Sequence, residues 1–412
     1  MNVLLINHYA GAPDLGMEYR PYYLAREWVR AGHRVCIVAA TFSHVRARQP
    51  EHAGRAHDQQ IDGITYRWIP APRYAGNGIA RAWNIACFLG RAALDAPDLV
   101  RRFRPDAVIA SSTYPMDIWL AQRLVRLCRP RPVKLVYEVH DLWPLSPIEL
   151  AGLSPRHPFI RLCQRAEDAA YRSADVVVSM LPKVHDHMAA HGLDLRRLII
   201  VPNGIAPQEW DGAPQPLRAD AQAAIDAARG RGALVVGYAG SMGLPNALDT
   251  LLDAARLLRD TPLHFVLVGD GHERERLVQR ALRETITNVT LMPPIPKAQI
   301  PSLLGAIDIA YVGWQRVPIY RFGIAPNKLM DYMMAGCAVL HSVEAGNDPV
   351  AESGCGLTVA PGSPEAVADG LRRLAAAGVD ERKAMGQRGR AFVLAHHAYP
   401  VLAARFMDAL EA

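Results

Sequence analysis

Short runs of β-branched and aliphatic residues alternate with longer amphipathic stretches along nearly the whole chain. This alternation is typical of parallel α/β sheets, in which a helix connects each strand to the next. Several of the runs are apolar throughout, which predicts strands that are covered on both faces. In the first half of the chain the predicted strands are Val3–Asn7, Arg34–Ala39, Ile64–Ile69, Ala107–Ala110, Lys134–Val139, Val176–Ser179 and Leu198–Val201.

One segment interrupts this series. Residues Pro207–Pro216 include three prolines and a glycine, which is the composition of a linker, and 412 residues are too many for one ordinary core. We therefore predict two tandem doubly wound, Rossmann-like α/β domains, residues 1–205 and 206–395, and a last helix in residues 396–412 that packs back on the first domain. Such sheets bind ligands at the carboxyl ends of their strands, so we expect a cleft between the domains. The second series of strands is Leu234–Tyr238, Leu263–Val268, Val289–Met292, Ile307–Val312, Ala338–His341 and Gly356–Val359.

The net charge of +6 is concentrated in the first half of the chain. Residues 1–205 contain 26 lysines and arginines against 18 acidic residues, whereas the remainder contains 20 against 22. An excess of this kind fits an anionic partner, such as a membrane surface, a phosphorylated acceptor or a nucleic acid, and it equally fits a solvated arginine-rich surface.

The six cysteines lie far apart, with no C-x-x-C pair and no histidine at zinc-finger spacing. This favours buried thiols in a reducing compartment over disulfides, and we predict no metal site. The amino-terminal MNVLLINHYAG has no basic segment before its short apolar run, and no window approaches 18 uninterrupted apolar residues. We therefore expect a cytoplasmic protein without a transmembrane helix.

A loop with Gly11 and Gly16, in AGAPDLGMEYR, connects the first strand to a helix. Backbone amides could approach a ligand there, but the spacing does not match G-x-G-x-x-G, and the chain has no G-x-x-x-x-G-K-[ST] motif. Such glycines can equally serve only to shape a turn.

The stretch FGIAPNKLMDYMMAG, from Phe322 to Gly336, predicts a helix with a proline in its first turn and a glycine at its end. The amides around residues 323–327 would then point outward as an anion site. Lys328 and Asp331 are three residues apart and share a helix face. A cation for a diphosphate and a carboxylate for a ribose diol suit a nucleotide sugar, although an ordinary surface ion pair has the same spacing.

Motifs along nearly the whole chain, in the right order, resemble those of the retaining glycosyltransferases of family four. They include RPYYLAREWVRAGHRV, YEVHDLWP and VPNGI in the first half, and YAGSMG, FVLVGDGHERERL, NVTLMPPIP and PNKLMDYMMAGCAVL in the second. The resemblance is strongest to bacterial transferases that build O-antigen or capsular polysaccharides, including N-acetyl-L-fucosamine transferases. It implies the two-domain GT-B fold and metal-independent transfer from a nucleotide diphosphate sugar, UDP-linked, with no other cofactor.

The resemblance also assigns donor-binding residues. Asp331 stands where the second carboxylate of the family's E-x7-E motif binds the ribose, but Gly323 stands where the first Glu would contact the donor sugar. Ser241 and Asn246 replace the basic residues that often bind phosphate, which leaves Lys328 as the main cation and as a catalytic residue. The predicted donor site comprises Gly240, Ser241, Gly269, Gly271, Pro294, Arg321, Gly323, Ile324, Ala325, Asn327, Lys328 and Asp331.

In the first domain the resemblance places His140, after a predicted strand, against the donor sugar as a catalytic residue. Glu138 and Asp141 are not interpreted as a paired acid and base. The acceptor site is predicted at Gly16, Glu18 and Arg20, with Arg20 on the acceptor's phosphate.

The implied acceptor is a lipid-linked glycan. Trp83, Phe88, Leu89 and Leu99 lie with five arginines in residues 81–104, which could rest on an anionic membrane surface or form a core helix with a solvated basic face. The protein would then be peripheral on the inner face of the membrane. A nucleotide-sugar epimerase or phosphorylase of the same fold and a non-catalytic nucleotide-sugar binder remain open; no pattern supports nucleic-acid binding.

Overall fold

The computed structural model describes residues 1–51, 54–76 and 78–412. These residues form two units, each a mainly parallel α/β sheet with helices on both faces, which confirms the predicted fold class. Unit 1 is Met1–Asn203 together with Tyr399–Ala412, and unit 2 is Gly204–Ala398. The sequence-based boundaries, after residues 205 and 395, lie within three residues of these boundaries.

Unit 1 contains an eight-stranded sheet of order β3-β4-β2-β1-β5-β6-β7-β8. All neighbouring strands are parallel except β3, which pairs antiparallel with β4. The sequence HDQQI of β3 is polar and mostly exposed, so it carries no apolar run, and the sequence-based series missed it. The strands are β1 Asn2–Ile6, β2 Arg34–Ala40, β3 His57–Ile61, β4 Ile64–Ile69, β5 Ala107–Ala110, β6 Lys134–Val139, β7 Val176–Ser179 and β8 Leu198–Ile200.

The last helix of the chain, α15, completes unit 1 by packing on its first helix, α1. The indole of Trp28 donates to the carbonyl of Ala403 at 3.1 Å and meets the Phe406 ring edge-on at 5.1 Å between centroids. Both aromatic side chains are buried. The helices of unit 1 are α1 Arg20–Arg30, α2 Ile79–Phe103, α3 Asp117–Leu127, α4 Leu145–Ala151, α5 Pro158–Ser173, α6 His185–Ala190 and α15 Tyr399–Glu411.

Unit 2 contains a six-stranded parallel sheet of order β11-β10-β9-β12-β13-β14. Side chains of β9 alternate between two buried clusters, with Val235 and Ala239 on one face and Val236 and Tyr238 on the other, so both faces are covered. The strands are β9 Leu234–Ala239, β10 Leu263–Val268, β11 Val289–Met292, β12 Ile309–Gly313, β13 Ala338–Ser342 and β14 Gly356–Thr358. The helices are α7 Ala219–Gly230, α8 Leu248–Leu257, α9 Arg274–Arg283, α10 Ile300–Gly305, α11 Asn327–Met334, α12 Pro349–Ser353, α13 Pro364–Ala376 and α14 Gly378–His396.

Helix α2 agrees with the second of the two interpretations of residues 81–104, a core helix with a solvated basic face. Trp83 is exposed, but Phe88 and Leu99 are buried, so they belong to the core of unit 1 and are not available to a membrane. All six cysteines are free, as their spacing predicts. In the part of the chain that the structure describes, no helix combines the length and apolarity needed to cross a membrane.

We predict that Phe406→Ala destabilises unit 1 by about 3–5 kcal/mol, because it removes a buried ring and leaves a cavity against Trp28. Urea unfolding followed by circular dichroism measures this change. Asp408→Ala, at an exposed position of the same helix, is the control and should change the unfolding free energy by less than about 0.5 kcal/mol. Equal stability of the two variants would show that the contact between α15 and α1 does not hold unit 1 together.

Candidate functional site

The carboxyl end of β9 lies at the point where the strand order of unit 2 reverses. From β9 the chain proceeds outward to β10 and β11 on one side and returns to β12 on the other side. Doubly wound sheets bind their ligands in the crevice at such a reversal. Gly240 directly follows β9, and Gly269 follows β10, so the predicted donor residues gather at this edge of unit 2.

The glycines at this edge are required by close packing of backbone on backbone. A Cβ on Gly269 would lie 1.8 Å from the carbonyl oxygen of Gly240, and one on Gly271 would lie 2.5 Å from that of Met242. The amide of Met242 also donates to the carbonyl of Asp270 at 2.7 Å. These glycines therefore join the loop that follows β9 to the loop that follows β10. The side chain of Ser241, in the first of these loops, is exposed.

Lys328, in the first turn of α11, points back toward the end of β9. Its Nζ donates to the hydroxyl of Tyr238 at 2.8 Å and to Oδ1 of Asn246 at 2.5 Å, and it lies 4.5 Å from the centre of the Tyr238 ring. A Cβ on Gly240 would come within 3.3 Å of this amine. The side chain is half-buried and does not extend into bulk solvent.

Burial lowers the pKa of Lys328 to about 7. The ammonium form loses water here, and no carboxylate among the described residues pairs with it to offset that loss. A bound anion would supply the missing negative charge. The amine of Lys328 can therefore be neutral or positively charged, depending on what binds beside it.

Asp331 lies one turn along α11 and is also half-buried. Burial raises the pKa of its carboxyl to about 7; Lys297 opposes this rise, and Glu209 adds to it. Within the described residues no hydrogen bond engages the Asp331 carboxylate, so its oxygens are available to hydroxyl donors.

The loop before α11 is less open to an anion than its sequence predicts. Helix α11 begins at Asn327, one residue after Pro326. The amide of Gly323 donates to the carbonyl of Tyr320 at 2.9 Å, and that of Ile324 donates to Oδ1 of Asn347 at 2.7 Å. The expectation that all amides of residues 323–327 point outward is therefore wrong, because at least two of them are used within unit 2. In the first turn of α11 the amide of Leu329 donates to the carbonyl of Pro326 at 3.2 Å. Among the described residues no acceptor engages the amides of Asn327 and Lys328, which remain for a ligand.

Other predicted donor residues have local roles. Ile324 places its side chain in the core, and Ala325 is half-buried beside it. Arg321 is exposed; its guanidinium donates to the carbonyl of Pro318 at 2.7 Å and lies over the Phe322 ring. Pro294 is exposed, and its carbonyl accepts from Arg218 at 3.1 Å. Of the predicted ionisable donor residues, Lys328 therefore lies at the end of β9, and Asp331 lies one turn further along α11.

In unit 1, His140 directly follows β6 and belongs to a buried polar network. Its Nε2 lies 3.0 Å from Oγ of Ser111 and 3.4 Å from Oε2 of Glu138, and Ser111 donates to the same carboxylate oxygen at 2.6 Å. Glu138 is fully buried. The network fixes the orientation of the imidazole from behind.

The charges in this network favour a protonated histidine. Burial lowers the pKa of His140, but hydrogen bonding to Glu138 and the charges of Glu138 and Glu18 outweigh it, so the pKa is raised. For Glu138, burial raises the pKa, but the charges of Arg20 and His140 lower it by more than burial raises it. The carboxyl therefore stays ionised. An imidazolium at this position can donate a proton or stabilise developing negative charge.

Arg20 contradicts its predicted role on the acceptor. Its Nε and Nη2 donate to Oε1 of Glu138 at 3.0 and 2.9 Å, and its Nη1 and Nη2 donate to the carbonyls of Pro202 and Val201 at 2.6 and 2.7 Å. The side chain is buried, so these contacts use its donors inside unit 1. Arg20 therefore holds Glu138 in place and does not present its charge to a ligand.

The other predicted acceptor residues lie in the loop after β1. Gly16 has a φ of +97°, and a Cβ there would lie 2.8 Å from the amide nitrogen of Ala47, so packing requires glycine. Glu18 is half-buried, and its carbonyl accepts from the amide of Gly11 at 2.8 Å. Its side-chain charge reaches His140, which links this loop to the imidazole.

Sequence reasoning missed Ser111 and the part played by Glu138. It compared Glu138 with Asp141, but side chains two residues apart share a face of a strand, which pairs Glu138 with His140. Among the described residues, the one cluster of three side chains suited to a metal ion is Glu167, His187 and His191. It shares no residue with either group above.

Residues 16–204 match the family of the glycosyl transferase 4-like domain, and residues 233–377 match the glycosyl transferases group 1. The chain is 26% identical over 273 residues to WbjE, a probable glycosyltransferase of Pseudomonas aeruginosa, a match that spans 66% of each chain, just under two thirds. It is 25% identical over 284 residues to WcaI, a putative colanic acid biosynthesis glycosyl transferase of Escherichia coli, covering 66% of this chain and 67% of that one.

Among solved structures, HepE of Anabaena in complex with UDP and glucose is similar over 100% of both chains, with a TM-score of 0.66 and 16% identity. That likeness concerns the fold. Since both domain families match in tandem over more than half of its residues, the chain belongs to the GT-B glycosyltransferases, with a glycosyl transferase 4-like domain followed by a group 1 domain.

Proposed function

We propose that this glycosyltransferase moves a sugar, with retention of configuration, from a nucleoside diphosphate sugar to a lipid-linked glycan during the synthesis of a surface polysaccharide. The observation that carries the proposal is the half-buried amine of Lys328 at the strand reversal of unit 2, which has no carboxylate partner in the described part of the chain. The names of WcaI, from colanic acid biosynthesis, and of HepE, solved with UDP, support the substrate class and a UDP-linked donor.

The donor's diphosphate would bind at the first turn of α11, against Lys328. Negative charge accumulates on the diphosphate as the bond to the sugar breaks, so a cation fixed beside it stabilises the transition state more than the ground state. In this proposal Lys328 supplies that positive charge. Asp331, one turn further along α11, accepts hydrogen bonds from the ribose hydroxyls.

His140 would act on the transferred sugar. Its raised pKa favours the protonated imidazole. Because Nε2 contacts Ser111 and Glu138, Nδ1 is the nitrogen that can donate to a sugar hydroxyl or to developing charge. Glu138 and Ser111 are positioning residues, because they contact His140 from the buried side. Gly323 provides no carboxylate for the sugar, so the sugar's remaining hydroxyls depend on other contacts.

Lys328→Met should weaken UDP binding about 10- to 100-fold, because it removes a charged donor from the diphosphate. Uridine lacks phosphate, so its affinity should stay the same. Isothermal titration calorimetry with the two ligands measures the difference.

Asp331→Asn is the matched variant on the same helix. It should weaken UDP and uridine by similar factors, since both carry the ribose. If Lys328→Met weakened uridine as much as UDP, the amine would support the fold of the site and would not bind phosphate.

Transfer itself is tested with UDP-sugars and a polyprenyl diphosphate-linked glycan. We expect a glycoside whose anomeric configuration, measured by nuclear magnetic resonance, is that of the donor. His140→Ala should lower kcat about 100-fold or more while the Kd for UDP, which lacks the sugar, is unchanged.

Trp83→Ala, at an exposed position of unit 1, is the control for general damage and should not alter the Kd for UDP.

An epimerised UDP-sugar formed without acceptor would replace the proposal with an epimerase. Donor binding with neither transfer nor hydrolysis would identify a non-catalytic binder.

A further inference from the structure

We propose that unit 1 contains a zinc-type transition-metal site formed by Glu167, His187 and His191. Each of these side chains offers one ligand atom, and the three atoms all lie within 4.8 Å of one another. The site shares no residue with the proposed donor and catalytic groups, so it does not depend on the proposed function.

The two histidines come from one helical turn. His187 lies in α6, and His191 directly follows the last residue of that helix, with its amide 3.2 Å from the carbonyl of His187. Residues four apart on a helix share a face, and two histidines at this spacing form the metal-binding pair of many zinc enzymes. Here the centres of the two rings are 4.7 Å apart.

Glu167 reaches the pair from the neighbouring helix α5. It is only 1% exposed, and Oε1 accepts from the Tyr171 hydroxyl at 2.9 Å while lying 3.8 Å from Nε2 of His187. Among the described residues, no lysine or arginine lies within ion-pair distance of this carboxylate. Buried carboxylates are usually paired with a cation or coordinate a metal. Among the described residues, the one potential cation beside Glu167 is the imidazole of His187.

Gln164 contacts two carboxylates and one imidazole of this region. Its amide nitrogen, which carries two hydrogens, lies 2.9 Å from Glu167, 2.8 Å from Asp168 and 3.1 Å from Nδ1 of His191. Oδ1 of Asp168 also lies 3.7 Å from Nδ1 of His191. With a divalent cation bound to Nε2 of His191, the Nδ1–H of this residue would donate to Asp168, and Gln164 would donate to Glu167.

Two imidazoles and one carboxylate favour zinc over magnesium or calcium, which prefer oxygen. Zinc bonds of 2.0–2.1 Å in a tetrahedral site separate ligand atoms by about 3.3 Å. The ligand atoms, which lie within 4.8 Å of one another, therefore need to approach by up to about 1.5 Å. Rotations of the partly exposed imidazoles supply this movement. Water would complete the coordination, and the metal would tie α5 to α6.

The test uses full-length protein without a polyhistidine tag, stripped with a chelator and titrated with Zn²⁺. We expect one equivalent to bind by calorimetry and to raise the melting temperature by about 5 °C once Zn²⁺ exceeds its Kd 100-fold. Co²⁺ should give the visible absorption of a tetrahedral site. His187→Ala and His191→Ala should each abolish both effects, relative to the variant's own metal-free melting temperature.

His185→Ala is the matched control, since His185 is exposed on the same helix and outside the cluster. It should bind Zn²⁺ as the unchanged protein does. If a variant fails to fold, nuclear magnetic resonance of the unchanged protein should show Zn²⁺ shifting two imidazoles only. No binding by the unchanged protein, binding retained in His187→Ala or His191→Ala, or loss of binding in His185→Ala would overturn the proposal.

Discussion

The proposed donor site depends on one constraint: the amine of Lys328 is held at the end of β9 by neutral partners. The hydroxyl of Tyr238 and the amide of Asn246 accept its hydrogen bonds but contribute no negative charge. Burial therefore lowers its pKa to about 7, and a diphosphate is the partner that would restore the charge. The close packing of Gly269 against Gly240 joins the loops that follow β10 and β9 at this end of the sheet.

Unit 1 also contains a buried ionisable group, but there the group has charged partners. There the buried charge is the carboxylate of Glu138, and two cations share it: Arg20 from α1 and the imidazole of His140. Removing one partner of such a buried pair is costly because the other charge is left without compensation. The arrangement therefore keeps His140 oriented and favours its protonated form, with Arg20 as a permanent part of the framework.

Apolar runs predicted the strands of both units well, because strands covered on both faces need apolar residues throughout. β3 was missed because it is an exposed, polar edge strand. The sequence also predicted that Lys328 and Asp331 share a helix, which depends only on local spacing. It could not predict Tyr238, Asn246 and Asn347 as partners, since these lie 90, 82 and 23 residues from the groups they contact. The Glu167, His187 and His191 cluster was missed for the same reason, although the spacing of the two histidines was visible.

Proton uptake on binding UDP tests the role of Lys328 most directly. At pH 8 an amine with a pKa of about 7 is mostly neutral, and a bound diphosphate raises that pKa, so binding should take up about one proton. Calorimetry at pH 8 in two buffers with different ionisation enthalpies measures this number. Lys328→Arg, which is always protonated, should take up none. No uptake by the unchanged protein, or equal uptake by Lys328→Arg, would contradict the assignment of Lys328 to the diphosphate.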